Sequence, residues 1–251
     1  QDMGVGLRRY MEGIRVCVDY AMEKGYTFKF TIEPKVYEPR LLGLFAGTGA
    51  SAASAIRAFF NDPKYAGRVL VNPEYPQHTS MLGLEPVFEL GQLLEEDMLA
   101  PFLHFGGQIP GRMDCDLPPG VGSSLASDFM ICHTLHSRGW DGIVEFDCRP
   151  MRTTTSDAGV KLFLRHSVGY WRMLEAKIEV FDDDPIMQNI RAELAQTPSD
   201  KLRAIDAALA SGQGMGDAVA ALTGAFGSFE EAGEITTDVI EAHIYRLIQI
   251  L

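Results

Sequence analysis

The chain has 251 residues, of which 46 % are hydrophobic and 22 % charged, enough for one large domain or two small ones with a substantial core. A formal charge of −12, a pI near 4.9 and the lack of any Lys/Arg cluster argue against a nucleic-acid partner, and no apolar run approaches the ~20 residues of a membrane span. Four scattered cysteines (Cys17, Cys115, Cys132 and Cys148) form no CxxC and no disulfide framework, so reduced thiols in a cytoplasmic protein are expected.

A helix is predicted over about 6–24, and then four short apolar runs rich in β-formers alternate with helical patterns. The strands are expected over 28–32, 68–71, 101–105 and 142–146, and the helices over 50–60, 80–99, 123–138 and about 160–180, where apolar residues recur every three or four positions. Such alternation implies parallel βαβ units. After Asp182 the strands stop. Pro185 opens a helix, and further helices are expected over 201–209, 217–222 and 237–251, jointed by Gly212, Gly214 and Gly216. The chain therefore divides into an α/β part over 1–182 and a helical part over 183–251. Its first residue is Gln1 rather than Met, so the natural start is expected upstream.

Each expected strand ends in acidic or polar residues: Glu33, Glu74, the segment from Gln108 to Asp116, and Asp147. In parallel α/β folds the loops after the strand C-termini build the active site. Carboxylates gathered there repel one another unless protons or a cation compensate them, so a divalent metal is the natural expectation.

These residues sit in four ordered motifs. Thr31-Ile32-Glu33-Pro34-Lys35, continued by Val36-Tyr37-Glu38-Pro39-Arg40, resembles the EPKPxEPR segment of xylose isomerases. Asn72-Pro73-Glu74 with His78 is similar to their NPExxHE segment, Asp114-Cys115-Asp116 to their DxD pair, and Phe146-Asp147-Cys148-Arg149-Pro150-Met151-Arg152-Thr153 to FDFKPPRT. One such motif is unspecific, but four in order across about 120 residues are not. The resemblance implies a (β/α)8 TIM barrel, of which this chain carries about the second half, followed by an α-helical arm that wraps a neighbouring subunit.

The activity implied is a metal-dependent aldose–ketose isomerisation by hydride shift between C1 and C2 of an open-chain sugar, with two Mg²⁺, Mn²⁺ or Co²⁺ ions. Glu33, Glu74 and Asp147 would hold the first ion. Glu74 would bridge to the second, with His78, Asp114 and Asp116 completing it. Lys35 and Asp116 would be catalytic, Lys35 donating to the carbonyl-end oxygen; water on the second ion would move the hydroxyl proton, and Lys35 and Arg149 would contact the monosaccharide.

The chain also departs from the family. The first half of the barrel would have to come from another chain or from further sequence, since a half barrel exposes strand edges on both sides. The segment Leu103 to Gln108 is about two residues short and lacks an aspartate ligand, with His104 or a water as open substitutes. His78 stands one residue further from Glu74 than expected, which makes Gln77 its rival, and Arg149 replaces a lysine. These changes leave a non-catalytic sugar-binding homologue that pairs with a partner as the second expectation.

Other features read as structural. Glu33 and Lys35 alone could be a surface ion pair, and Asp114 and Asp116 alone a solvated turn. His133 and His136 read as a partly exposed helix face, His166 and His243 as structural, and the glycines of 43–52 as a helix entry, since they lack the P-loop ending. The apolar stripe of Ile240, Ile244 and Leu247 predicts an oligomer.

Overall fold

A computed structural model describes residues 2–36, 45–150 and 153–192. Tyr37–Arg40, Met151, Arg152, the predicted helices of 201–251 and the stripe of Ile240, Ile244 and Leu247 lie outside these residues. The contacts divide the chain into two units, Gln1–Glu175 and Ala176–Leu251.

In the first unit the elements run α1 (Met3–Glu23), β1 (Phe30–Ile32), α2 (Gly49–Phe59), β2 (Val69–Val71), β3 (Glu74–Tyr75), α3 (Gln77–Met81), α4 (Pro86–Glu95), β4 (Phe102–Phe105), α5 (Leu125–Ser137), β5 (Ile143–Glu145) and most of α6 (Asp157–Ala176). All pairing between strands is parallel: β1 with β2, and β3 with β4 and then β5. The α/β class with parallel sheets is thus as expected. Among the described residues the sheets do not close, and β1 and β5 each pair on one side only.

The short strand β3 has no counterpart in the expected elements. It arises at Pro73, which has no N–H to give to a ladder. Before it, the Asn72 N–H donates to Ile32 O (3.0 Å); at it, the carbonyl accepts from the His104 N–H (3.0 Å). One run of chain thus leaves β1 and joins β4. The helix predicted over 80–99 is two helices, because Gly83 at φ +70° ends α3 in a conformation that favours glycine. Pro86 then opens α4, where its missing N–H costs nothing.

The core lies between these strands and their helices: Val71, Leu103 and Phe105 with Leu90 and Leu93 of α4, Phe129 and Ile131 of α5 and Leu174 of α6 are all fully buried. Phe105 meets the Trp171 ring edge-on at 5.0 Å. On the opposite face Ile143 of β5 is 64 % exposed, whereas Asn72 and Glu74 are buried. In the second unit, α7 (Ile178–Asp182) precedes a helix that begins at Pro185. The Asp184 carboxylate caps it by accepting from the N–H groups of Ile186 (2.9 Å) and Met187 (3.2 Å). No helix among the described residues is long and apolar enough to cross a membrane.

One buried acid joins α5 to α6. Asp128 is fully buried; its Oδ2 accepts from Ser123 Oγ (2.8 Å) and Tyr170 Oη (2.8 Å), while Oδ1 accepts no hydrogen bond among the described residues. Burial pushes the carboxyl up to about 7, against the opposing effect of the two hydroxyl donors. The folded state therefore keeps a proton that the unfolded chain releases near pH 4, and stability falls as pH rises from about 4 to about 7, by up to ~4 kcal/mol, then levels. Asp128→Asn, neutral throughout, is expected to flatten this slope in urea unfolding measured at intervals across that range. An unchanged slope would assign it to other groups.

Candidate metal centre and sugar site

Strand register builds the centre. Glu74 lies opposite His104, and His104 opposite Glu145, so three polar residues form one row across β3, β4 and β5. On β4 the side chains alternate: Leu103 and Phe105 go to the helices and are fully buried, while His104 takes the other face. Glu33 follows β1 by one residue and Asp147 follows β5 by two. The His104 Nδ1 lies 3.5 Å from both Glu33 Oε1 and Asp147 Oδ2, and Nε2 lies 3.3 Å from Glu145 Oε2 and 3.3 Å from Asn72 Nδ2. These distances are long for hydrogen bonds and make the contacts mainly electrostatic. The facing Glu33 carboxylate raises the His104 pKa above its ordinary value, and His104 in turn lowers that of Glu33.

Ligand atoms of Glu33, His104 and Asp147 lie within 4.8 Å of one another, as a single bound cation requires. Glu74 adds a second sign. It is 1 % exposed, yet neither carboxylate oxygen accepts a hydrogen bond among the described residues. Among the described residues its close cation is the Lys35 ammonium, whose Nζ stands 3.8 Å from Oε2. Burial first, then the charges of Asp147, Glu33 and Asp114, push its pKa up to about 8, against the pull of Lys35. A buried acid with both oxygens unpartnered, beside two more carboxylates and an imidazole, suits a hard or borderline divalent ion.

The loop after β4 carries the other acids. Gly107 lets it fold back: its N–H donates to Leu117 O (2.7 Å), and its carbonyl accepts from the Leu117 N–H (3.1 Å). A Cβ there would lie 2.3 Å from Pro118 O and 2.4 Å from Val121 O. The fully buried Gln108 pins the turn through its amide, which accepts from Cys115 N (2.9 Å) and donates to Ile109 O (3.0 Å) and Arg112 O (2.7 Å). Asp114 and Asp116 both adopt the left-handed conformation, with φ 34° and 44°, a strain that tends to collect at functional sites.

Their charges are met by the chain itself. Lys35 Nζ is 3.0 Å from Asp114 Oδ1 and Arg149 Nη2 3.0 Å from Asp116 Oδ2. The buried Gln77 amide donates to Asp116 Oδ1 (3.0 Å) and contacts Asp114 Oδ1. A cleft of ≈ 410 Å³, lined by Arg112, Asp114, Asp116, Arg149 and Thr153 among others, opens beside them. That is the size of a small-molecule site.

Of the residues named from the sequence, the structure thus gathers Glu33, Lys35, Glu74, Asp114, Asp116, Asp147 and Arg149. It does not bring His78 to them. The His78 ring is fully buried with Nε2 2.6 Å from Glu89 Oε1 and Nδ1 2.9 Å from the Glu74 carbonyl. Glu89 also accepts from Tyr75 Oη (3.0 Å) and the Ala50 N–H (3.2 Å), so His78 braces the main chain that carries Glu74. Gln77, its rival in the sequence, takes the place beside the two aspartates. Sequence reasoning missed Glu145 and the bracing by Gln108 and Glu89. Glu145 was findable, since it stands two residues before Asp147 and shares its face of a strand.

No family model matches the chain. It is 30 % identical over 185 residues to a xylose isomerase of Thermus caldophilus, a match covering 74 % of this chain and 46 % of the relative. It is also 30 % identical over 181 residues to a xylose isomerase of Thermus thermophilus, covering 72 % and 44 %. The chain thus spans less than half the length of these relatives.

Gly107→Ala is expected to force the loop of Asp114 and Asp116 away from β4 and to lower stability by ~1–3 kcal/mol. Gly91→Ala, a control in the middle of α4 with open space around it, should instead gain up to ~1 kcal/mol. Equal unfolding midpoints for the two variants would contradict the close approach.

Proposed function

The chain belongs to a xylose isomerase-like family over the matched region, and from that premise we propose that it is part of a divalent-metal-dependent aldose–ketose isomerase. The observation that carries the proposal is the buried Glu74 carboxylate, which accepts no hydrogen bond among the described residues, amid Glu33, Asp147 and Asp114.

Glu33, Glu74 and Asp147 would hold one cation, and Glu74, Asp114 and Asp116 a second, as Mg²⁺, Mn²⁺ or Co²⁺. His78 would reach the second only by giving up Glu89. When bound, the ions supply Lewis acidity toward the sugar's hydroxyl and carbonyl oxygens.

The remaining chemistry falls to the chain. Lys35, poised between Glu74 and Asp114, donates to the carbonyl-end oxygen of the open-chain monosaccharide. Asp116, held by Gln77 and Arg149, takes up the proton of the neighbouring hydroxyl as hydride passes between C1 and C2, and returns it to the new hydroxyl. Arg149, 55 % exposed in its side chain, faces the cleft and binds sugar oxygens as a bidentate donor where a lysine would offer a point charge.

We further propose that residues 1–182 form about half of a (β/α)8 barrel, with the remaining strands supplied by another chain or by further sequence, and that 183–251 is a helical oligomerisation arm. The uncovered Ile143, on the same face as His104, and the single-sided pairing of β1 and β5 support the first part. The capped helix start at Pro185 supports the helical character of the second.

Glu74→Ala is expected to abolish divalent-cation binding to the chain, read by equilibrium dialysis with Mn²⁺, and to lower turnover by the assembled enzyme by at least ~100-fold. Unchanged binding and unchanged turnover together would refute the assignment.

A further inference from the structure

We propose that His104 is itself a ligand of the cation held by Glu33 and Asp147, through Nδ1, and that this nitrogen makes the centre prefer Co²⁺, Ni²⁺ or Zn²⁺ to Mg²⁺. The inference rests on the reading of these carboxylates as a cation site, and adds to it the identity of one donor and the class of ion.

The geometry assigns the ring a direction. Nδ1 points between Glu33 Oε1 and Asp147 Oδ2, 3.5 Å from each; it is buried and accepts no good hydrogen bond. The Glu145 carboxylate, in register with His104 on β5, lies 3.3 Å from the opposite nitrogen, Nε2. A carboxylate that accepts from one ring nitrogen leaves the other as a lone pair, the arrangement by which metal-bound imidazoles are oriented. Asn72 is consistent with it. Its Oδ1 is buried without a partner while its Nδ2 faces Nε2 at 3.3 Å, and rotating the amide by half a turn sets that oxygen against an Nε2–H instead.

Charge argues for the same half of the site. Lys35, Gln77 and Arg149 already stand against Asp114 and Asp116. Between Glu33 and Asp147 the structure sets the imidazole of His104, 3.5 Å from each. An imidazole with two or three carboxylates raises affinity along the order Mn²⁺ < Co²⁺ < Ni²⁺, whereas Mg²⁺ favours oxygen alone.

The test titrates the full chain with Mg²⁺ and with Co²⁺ separately by calorimetry, and records spin-echo modulation of bound Mn²⁺ for directly coupled nitrogen. The expected result is nitrogen coupling in the unaltered chain that disappears in His104→Asp, with Co²⁺ preference over Mg²⁺ falling by at least about tenfold. His104→Gln, which adds no charge to the cluster, should lose the coupling as well. Glu145→Gln, a change at a positioning residue, should keep the coupling but weaken Co²⁺ more than Mg²⁺. If the cation binds and His104→Asp changes neither the coupling nor the preference, the nitrogen ligand is refuted and the carboxylate site stands. If no cation binds the unaltered chain, both readings fall.

Discussion

Burying the Glu74 carboxylate beside Glu33, Asp114 and Asp147 is the constraint on which the rest of this structure depends. An uncompensated charge out of water costs several kcal/mol, and the raised pKa of Glu74 reports that cost. Compensation is available from a proton, from the Lys35 ammonium at 3.8 Å or from a cation among the carboxylates. Only the last also engages both oxygens, neither of which accepts a hydrogen bond among the described residues. The fold could avoid the cost with an amide at this position, but it gives Glu74 instead two braces, Tyr75 and His78, that share Glu89.

Those braces explain why a histidine so close to the acids is turned away from them. His78 lies in the first turn after β3, and its Nδ1 lies 2.9 Å from the Glu74 carbonyl itself. Its other nitrogen meets Glu89, which in turn accepts from the first turn of α2, where a helix N-terminus favours an anion. The pair of His78 and Glu89 thus fixes the strand end from behind. Gln77, one residue earlier, extends from the other side of the same turn toward Asp114 and Asp116.

Much of this could be read from the sequence, and the parts that could not share a physical cause. The four parallel strand positions and the acids at their ends follow from alternation and from motif spacing, which are local. The division of the helix predicted over 80–99 came from Gly83 and Pro86, whose signals were local but weaker than the apolar periodicity around them. The choice between Gln77 and His78 depends on the phase of a five-residue helix, α3, and no spacing rule sets that. His104 was visible as a substitute beside a water, yet its partners come from β1 and β5, and only pairing in register brings them to it.

Pro73 links these observations. Because it cannot donate to a ladder, the chain from Val69 to Tyr75 serves β1 with its first half and β4 with its second. Glu74 is thereby placed opposite His104, and β5 puts Glu145 opposite the same histidine. A one-residue slip in either pairing would turn the His104 ring toward the helices, among Leu103 and Phe105, and turn the acids away. The hydrophobic side of β4 forbids that slip, since Leu103 and Phe105 are fully buried beneath α4, α5 and α6. The packing of two apolar side chains on one face of a four-residue strand therefore sets the donor geometry on the other.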